Sequence, residues 1–151
     1  SSAEAADPKR IGTYGKWSAF TFVENGSKVC YMASQTTKAE GNYTRRGDIF
    51  ALITHRPADG TRNVFSYIAG YPYKAASDVT VRIGSRKFVL FAQGETAWAP
   101  DSETDNALAE AVRKGSTMVV KGTSKRGTLT TDTFSLSGSS RAYDAITQAC
   151  N

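Results

Sequence analysis

The sequence has few of the residues that carry most protein chemistry. Among 151 residues there is one histidine, His55, and there are two cysteines, Cys30 and Cys150. One histidine and two distant cysteines cannot form a zinc cluster by local spacing. The calcium-loop pattern D-x-D-x-D-G, the G-x-S-x-G nucleophile elbow and the glycine spacing of a phosphate loop are all absent. His55 stands beside Arg56, whose charge disfavours a protonated imidazole, and it reads as a surface or edge-strand histidine. Asp101, Glu103 and Asp105 fall where a helix begins, where acids suit the helix dipole. Asp48, Asp59 and Asp132 read as strand-end or turn residues, so no catalytic carboxylate pair stands out. No catalytic, cofactor-binding or metal-ligating residue is therefore assigned. Nor does any apolar run approach the ~20 residues of a transmembrane helix.

Charge of one sign is only mildly in excess. Lys and Arg number 19 against 14 Asp and Glu, a net charge of +5. The basic residues fall in small groups, including Lys9-Arg10, Arg45-Arg46, Arg82 with Arg86-Lys87, and Lys121 with Lys125-Arg126. Aromatics do not alternate with them as in an RNA-binding sheet, so no nucleic-acid partner is expected. An acidic protein or an anionic envelope surface fits the sign of the charge.

The two cysteines would close a loop of about 120 residues, and a bridge there restricts the unfolded chain by ~4–5 kcal/mol in the chain-entropy account. A Cys30–Cys150 disulfide is expected, with two buried free thiols as the alternative. The chain opens at Ser1 without an apolar leader, the form left by a removed signal peptide or by trimming.

Most of the remaining signal is β. Residues 1–10 are small, polar and charged, and read as a flexible N-terminal arm preceding a single β-sandwich domain over 11–151. Lys16–Val23 and Lys28–Met32 flank Asn25-Gly26, the pair favoured where both central turn residues need positive φ. That turn sets Phe22 against Val29, Phe20 against Tyr31 and Thr21 against Cys30, with Trp17, Ala19, Thr21, Cys30 and Met32 on one face. Gln35–Gly47 reads as a long polar loop. Asp48–His55 and Asn63–Ala69 read as paired strands, followed by an aromatic loop, Gly70–Lys74. Val79, Val81 and Ile83 alternate with polar residues before Gly84-Ser85, and the return strand places Phe88 and Leu90 on the core face. On the opposite face Arg82 meets Lys87, a like-charge pair that needs solvent or an anion.

A helix is predicted over 102–114, with Ser102 as N-cap and Gly115 closing it. Strands over Thr117–Lys121 and Thr128–Leu136 follow, then a second short helix over 140–149. Hairpins without a repeating βαβ pattern give a mainly-β fold, an antiparallel β-sandwich or open barrel with two short helices.

The ordered residues also resemble a known family. Trp17–Phe20, Lys28–Gln35, Arg46-Gly47-Asp48, Thr54–Pro57, Ala97-Trp98-Ala99, Met118–Thr128, Asp132–Gly138 and Ala142–Cys150 together resemble the invasion-associated locus B family. The resemblance implies a mainly-β bacterial protein, mostly alphaproteobacterial, exported by a signal peptide to the periplasm or envelope. It carries no agreed catalytic residues, and the invasion role of pathogenic members does not transfer automatically. Some members place a cysteine just after the opening Trp; Phe20 and Phe22 stand in that neighbourhood here, so a two-disulfide pattern is excluded.

The resulting expectation is a periplasmic or secreted binding or accessory module with no catalytic site and no cofactor. Its partner would be an envelope or host protein of acidic character, met by Arg45 and Arg46 in the polar loop and by Tyr71 and Tyr73 in the aromatic loop. Two alternatives stand beside it. One is a small-molecule or lipid carrier with a pocket between sheets, lined by Trp17, Phe65, Phe91 and Trp98. The other is a carboxylate-dependent envelope enzyme. Nothing specifies an oligomeric state.

Overall fold

The computed structural model describes residues 7–151. The expected arm over 1–10 therefore lies largely outside the described residues. Lys9 and Arg10 do not belong to an arm: they open the first strand, β1 (Lys9–Tyr14). Then come β2 (Trp17–Glu24), β3 (Ser27–Gln35), β4 (Lys38–Gly41), β5 (Phe50–Arg56) and β6 (Thr61–Ile68). After the aromatic loop the chain forms β7 (Asp78–Ile83), β8 (Arg86–Gln93), β9 (Thr96–Trp98) and helix α1 (Ser102–Lys114). It ends with β10 (Thr117–Thr123), β11 (Leu129–Ser135) and helix α2 (Ser139–Ala149).

The strands form one 11-stranded sheet in the order β1-β2-β3-β5-β6-β9-β8-β7-β10-β11-β4, and neighbouring strands run antiparallel. The sheet is not closed into a barrel; β1 and β4 are its free edges. It nevertheless curls back on itself. The Trp17 indole N–H donates to Ser135 O at 3.1 Å, and Lys16 N–H donates to Ser137 O at 2.9 Å. These bonds bring the start of β2 to the end of β11, from the far side of the sheet.

The register follows the turn chemistry. Asn25 and Gly26 both have positive φ, 51° and 78°, and Phe22 faces Val29, Phe20 faces Tyr31 and Thr21 faces Cys30. Val79 pairs with Leu90, Val81 with Phe88, and Arg82 with Lys87, the last two exposed together on the outer face. Period-2 alternation sends one row of each strand inward. Trp17, Met32, Ile53, Phe65, Tyr67, Leu90, Met118 and Phe134 meet there as the largest part of the core.

The helices plug one mouth of this curl. Leu108 and Val112 of α1 and Ala142 and Ile146 of α2 are buried, and Ser139 Oγ–H donates to Val112 O at 2.7 Å. The N-cap of α1 is Asp101, not Ser102: its carboxylate accepts from Thr104 N–H at 2.7 Å while Ser102 is already helical. Gly115 closes α1 without left-handed geometry, at φ −87°. Its missing side chain matters because a Cβ there would press on Ile83 and Leu136. Asp105, one turn in, accepts from Phe65 N–H at 2.9 Å, where short β9 pairs only with residues 66–68 of β6.

Cys30 and Cys150 form a disulfide that ties α2 to β3. Gln35–Gly47, expected as loop, contains β4. That strand is four exposed residues long and offers no hydrophobic alternation to read.

Candidate binding cleft

At the mouth opposite the helices, β11 sets the positions. Its inward residues run Thr130, Asp132 and Phe134, with Leu136 beyond them reaching toward Gly115 and α1. Asp132 is 1% exposed and lies mid-strand, not at a strand end or turn as expected. An ionised carboxylate in such a place needs a full set of partners. Arg46 supplies two, donating from Nη1 at 2.7 Å and Nη2 at 2.6 Å in a bidentate pair. The Tyr67 hydroxyl donates a third bond to the same carboxylate. Arg46 uses its Nε–H on Ala69 O at 2.8 Å.

Arg46 is thus not a solvated loop charge. Its side chain is 4% exposed, and its guanidinium lies against the rings of Tyr43 and Tyr71 at 5.4 and 4.8 Å from their centroids. Burial would lower its pKa, but the hydrogen bonds and charge of Asp132 more than offset that and hold it above the ordinary value. Burial, with the charge of Asp132 next, pushes the Tyr67 phenol well up, so it stays protonated and donating. The loop is clamped at its far end as well: Gly47 N–H donates to Gly70 O at 2.8 Å, and Gly70, at φ 77°, is too close to Gly47 O for any Cβ.

A cleft of about 530 Å³ opens above this clamp. Tyr43 and Tyr71 line it, and nearly buried Thr130 lies at its base, sharing a 2.6 Å hydrogen bond with the Tyr71 hydroxyl. Arg45, Lys125 and Arg126 bring three exposed cations to the lining, which among the described residues contains no carboxylate. Lys125 and Arg126 sit in the β10–β11 turn. That turn is held by Lys125 N–H to Pro72 O at 2.8 Å and by Thr128 N–H to Ser124 Oγ at 3.1 Å. Hydroxyl, amide, aromatic and cationic groups therefore converge on one concave surface, an arrangement suited to binding an anion-bearing polar ligand.

The four residues expected at the surface divide by role. Arg45 and Tyr71 line the cleft. Tyr73 is a core residue, 6% exposed, set edge-on behind Tyr71 with ring centroids 5.2 Å apart. Burial drives its pKa up. Tyr43, Thr130, Lys125 and Arg126 were not singled out as site residues. Asp132, expected at a strand end or turn, stands in the inward alternation with Phe134, a pattern the sequence carries.

The residues expected around a carrier pocket do not line a common cavity. Trp17 and Phe65 are packed in the core, while Phe91 is exposed on the outside of β8, opposite Trp98. The carboxylate alternative fares no better at Asp132, whose oxygens are engaged by Arg46 and Tyr67.

His55 is neither a surface nor an edge residue. It lies on β5 between β3 and β6 and is fully buried. Asn63 N–H donates to its Nδ1 at 3.1 Å, which leaves the ring proton on Nε2, facing Thr147 Oγ1 of α2 at 3.1 Å. Tyr143 packs edge-on against the ring, and its hydroxyl donates to Asn63 Oδ1 at 2.5 Å. Burial, then the charge of Arg62, lowers the His55 pKa to about 4. A neutral imidazole here joins α2 to the sheet; it is remote from the cleft at the other mouth.

An open, curled antiparallel sheet with two helices in one mouth, a basic cleft at the other and one disulfide defines a small mainly-β module. The family model described as Invasion associated locus B (IalB) protein matches residues 17–147, and the chain belongs to that family. It is also similar to the crystal structure of invasion associated protein b from Bartonella henselae. That match has 18% identity and a TM-score of 0.65, and covers 91% of this chain and 95% of that one. At that identity the likeness concerns the fold. No curated protein matches the chain.

Proposed function

We propose that this protein is a periplasmic or secreted envelope module that binds an acidic partner through the cleft and carries no catalytic site. The observation that carries the proposal is the cleft lining: three cations, two tyrosines and several hydroxyls, with no acidic side chain among the described residues. The disulfide supports an oxidising compartment. No helix among the described residues is long and apolar enough to cross a membrane. Membership of a family named for invasion association fits a partner among acidic envelope or host components.

The test is crosslinking in the native envelope followed by mass spectrometry, with Arg45→Glu/Lys125→Glu run beside the natural sequence. A specific acidic partner should be captured by the natural sequence and lost in the variant. Its association should slow, with a shallower salt dependence, when the two charges are reversed. A partner retained at full strength by the variant would remove the cleft from the proposal.

A further inference from the structure

We propose that the cleft takes an acidic oligosaccharide, a short uronate-bearing or sulfated sugar chain; this deepens the reading above and rests on it. Its volume, about 530 Å³, falls within the ~300–1,000 Å³ of small-ligand pockets. Three features select the ligand chemistry. The first is sign: among the described residues, Arg45, Lys125 and Arg126 share the lining with no carboxylate and are engaged by no salt bridge, which leaves them to anionic groups. The second is the supply of neutral polar groups suited to sugar hydroxyls. Asn42, Thr44 and Thr128 line the cleft, and Ser124 Oγ, already an acceptor from Thr128 N–H, keeps its own O–H to donate. The third is the pair of tyrosine walls. The buried Arg46 lies against both rings and is itself locked on Asp132, so the walls are fixed before any ligand arrives. Rigid apolar walls suit the C–H faces of a pyranose and limit the ordering cost of binding.

A peptide is the less suitable occupant. One common mode of peptide binding adds a strand to a free sheet edge. The strand at the base of this cleft, β11, is hydrogen-bonded on both sides, to β10 and to β4. Strand addition at the base is therefore closed, and recognition there falls to side chains that read charge and hydroxyls.

The test is titration calorimetry on the disulfide-bonded protein with four probes. These are tetragalacturonate, a heparin-derived tetrasaccharide, neutral maltotetraose and tetraglutamate. At least one of the two acidic sugars should bind ten-fold or more tightly than both maltotetraose and tetraglutamate. Lys125→Glu/Arg126→Glu should weaken that binding by ten-fold or more without changing the melting temperature. Arg82→Glu/Lys87→Glu, the same charge change on the outer sheet face, should leave it within two-fold. Tetraglutamate binding as tightly as the sugars would overturn the saccharide assignment and leave the acidic-partner reading intact. Failure of both acidic sugars to bind at millimolar concentration would also overturn it, while the crosslinking result decides the broader reading independently. Binding indifferent to Lys125 and Arg126 would take the cleft out of both.

Discussion

Arg45 and Arg46 are chemically identical neighbours with opposite fates. One faces solvent at the rim; the other holds a buried carboxylate. Replacing Arg46 by Met would strip the buried Asp132 of its charge partner and leave only the Tyr67 hydroxyl on it, a change that typically costs ~3–5 kcal/mol. Urea unfolding of Arg46→Met should show a loss of that order, whereas Arg45→Glu should stay within ~0.5 kcal/mol of the natural sequence. Adjacent arginines give no local sign of which will bury. The deciding information is Asp132, 86 residues away in the chain.

His55 makes a prediction in pH. Its folded pKa of about 4 lies below the ordinary 6.5, so the unfolded chain takes up this proton first as pH falls. The contribution of neutral His55 is complete above about pH 6.5, declines toward pH 4 and changes no further below it. Urea midpoints measured from pH 7.5 to 4 should fall through that window. His55→Asn, less stable throughout, should show a shallower fall.

Elements differed in how far they could be read locally. The β2–β3 and β7–β8 hairpins were legible to the residue because Asn25-Gly26 and Gly84-Ser85 set register and alternation supplied the faces. Strands β1, β4 and β9 were not. The first two are mostly exposed, and β9 has three residues; none carries a readable alternation, and β4 exists only through pairing with β11, about 90 residues away. The cleft is of the same kind, assembled from three connections far apart in sequence, two of which the sequence marked only as basic or aromatic.

The junction of β1 and α2 is a further element-scale test. Gly138, at φ 85°, caps α2 where a Cβ would collide with Tyr14 O. Gly26, at φ 78°, has nothing within 4 Å of such a Cβ. Gly26→Ala should therefore cost only the backbone strain, ~1–2 kcal/mol. Gly138→Ala should cost more, because the clash with the Tyr14 backbone adds to the same strain. Thermal melts followed by circular dichroism would rank the two.

For the whole molecule, the sheet stays open and its two ends are held together by other means: hydrogen bonds from Lys16 and Trp17 to the end of β11, and the disulfide through α2. Removing the bridge by Cys30→Ser/Cys150→Ser should lower stability by ~2–5 kcal/mol, read as a reduced urea midpoint and matched by the natural sequence in reductant. The neutral His55 contacts, the Lys28 Nζ–Ala149 O bond at 3.1 Å and the Arg62–Cys150 O bond at 2.8 Å should still hold α2 loosely in place.

The span of that bridge also fixes an order of events during biosynthesis. Cys150 follows Cys30 by 120 residues. At ~5–20 residues per second, the ribosome makes that stretch in roughly 6–24 s. Throughout that time Cys150, the partner Cys30 takes in the fold, is not yet made. Formation of this bridge therefore waits on the synthesis of α2 and the residue after it. The native disulfide is thus a late event: it can join β3 to α2 only after every strand between them has been made.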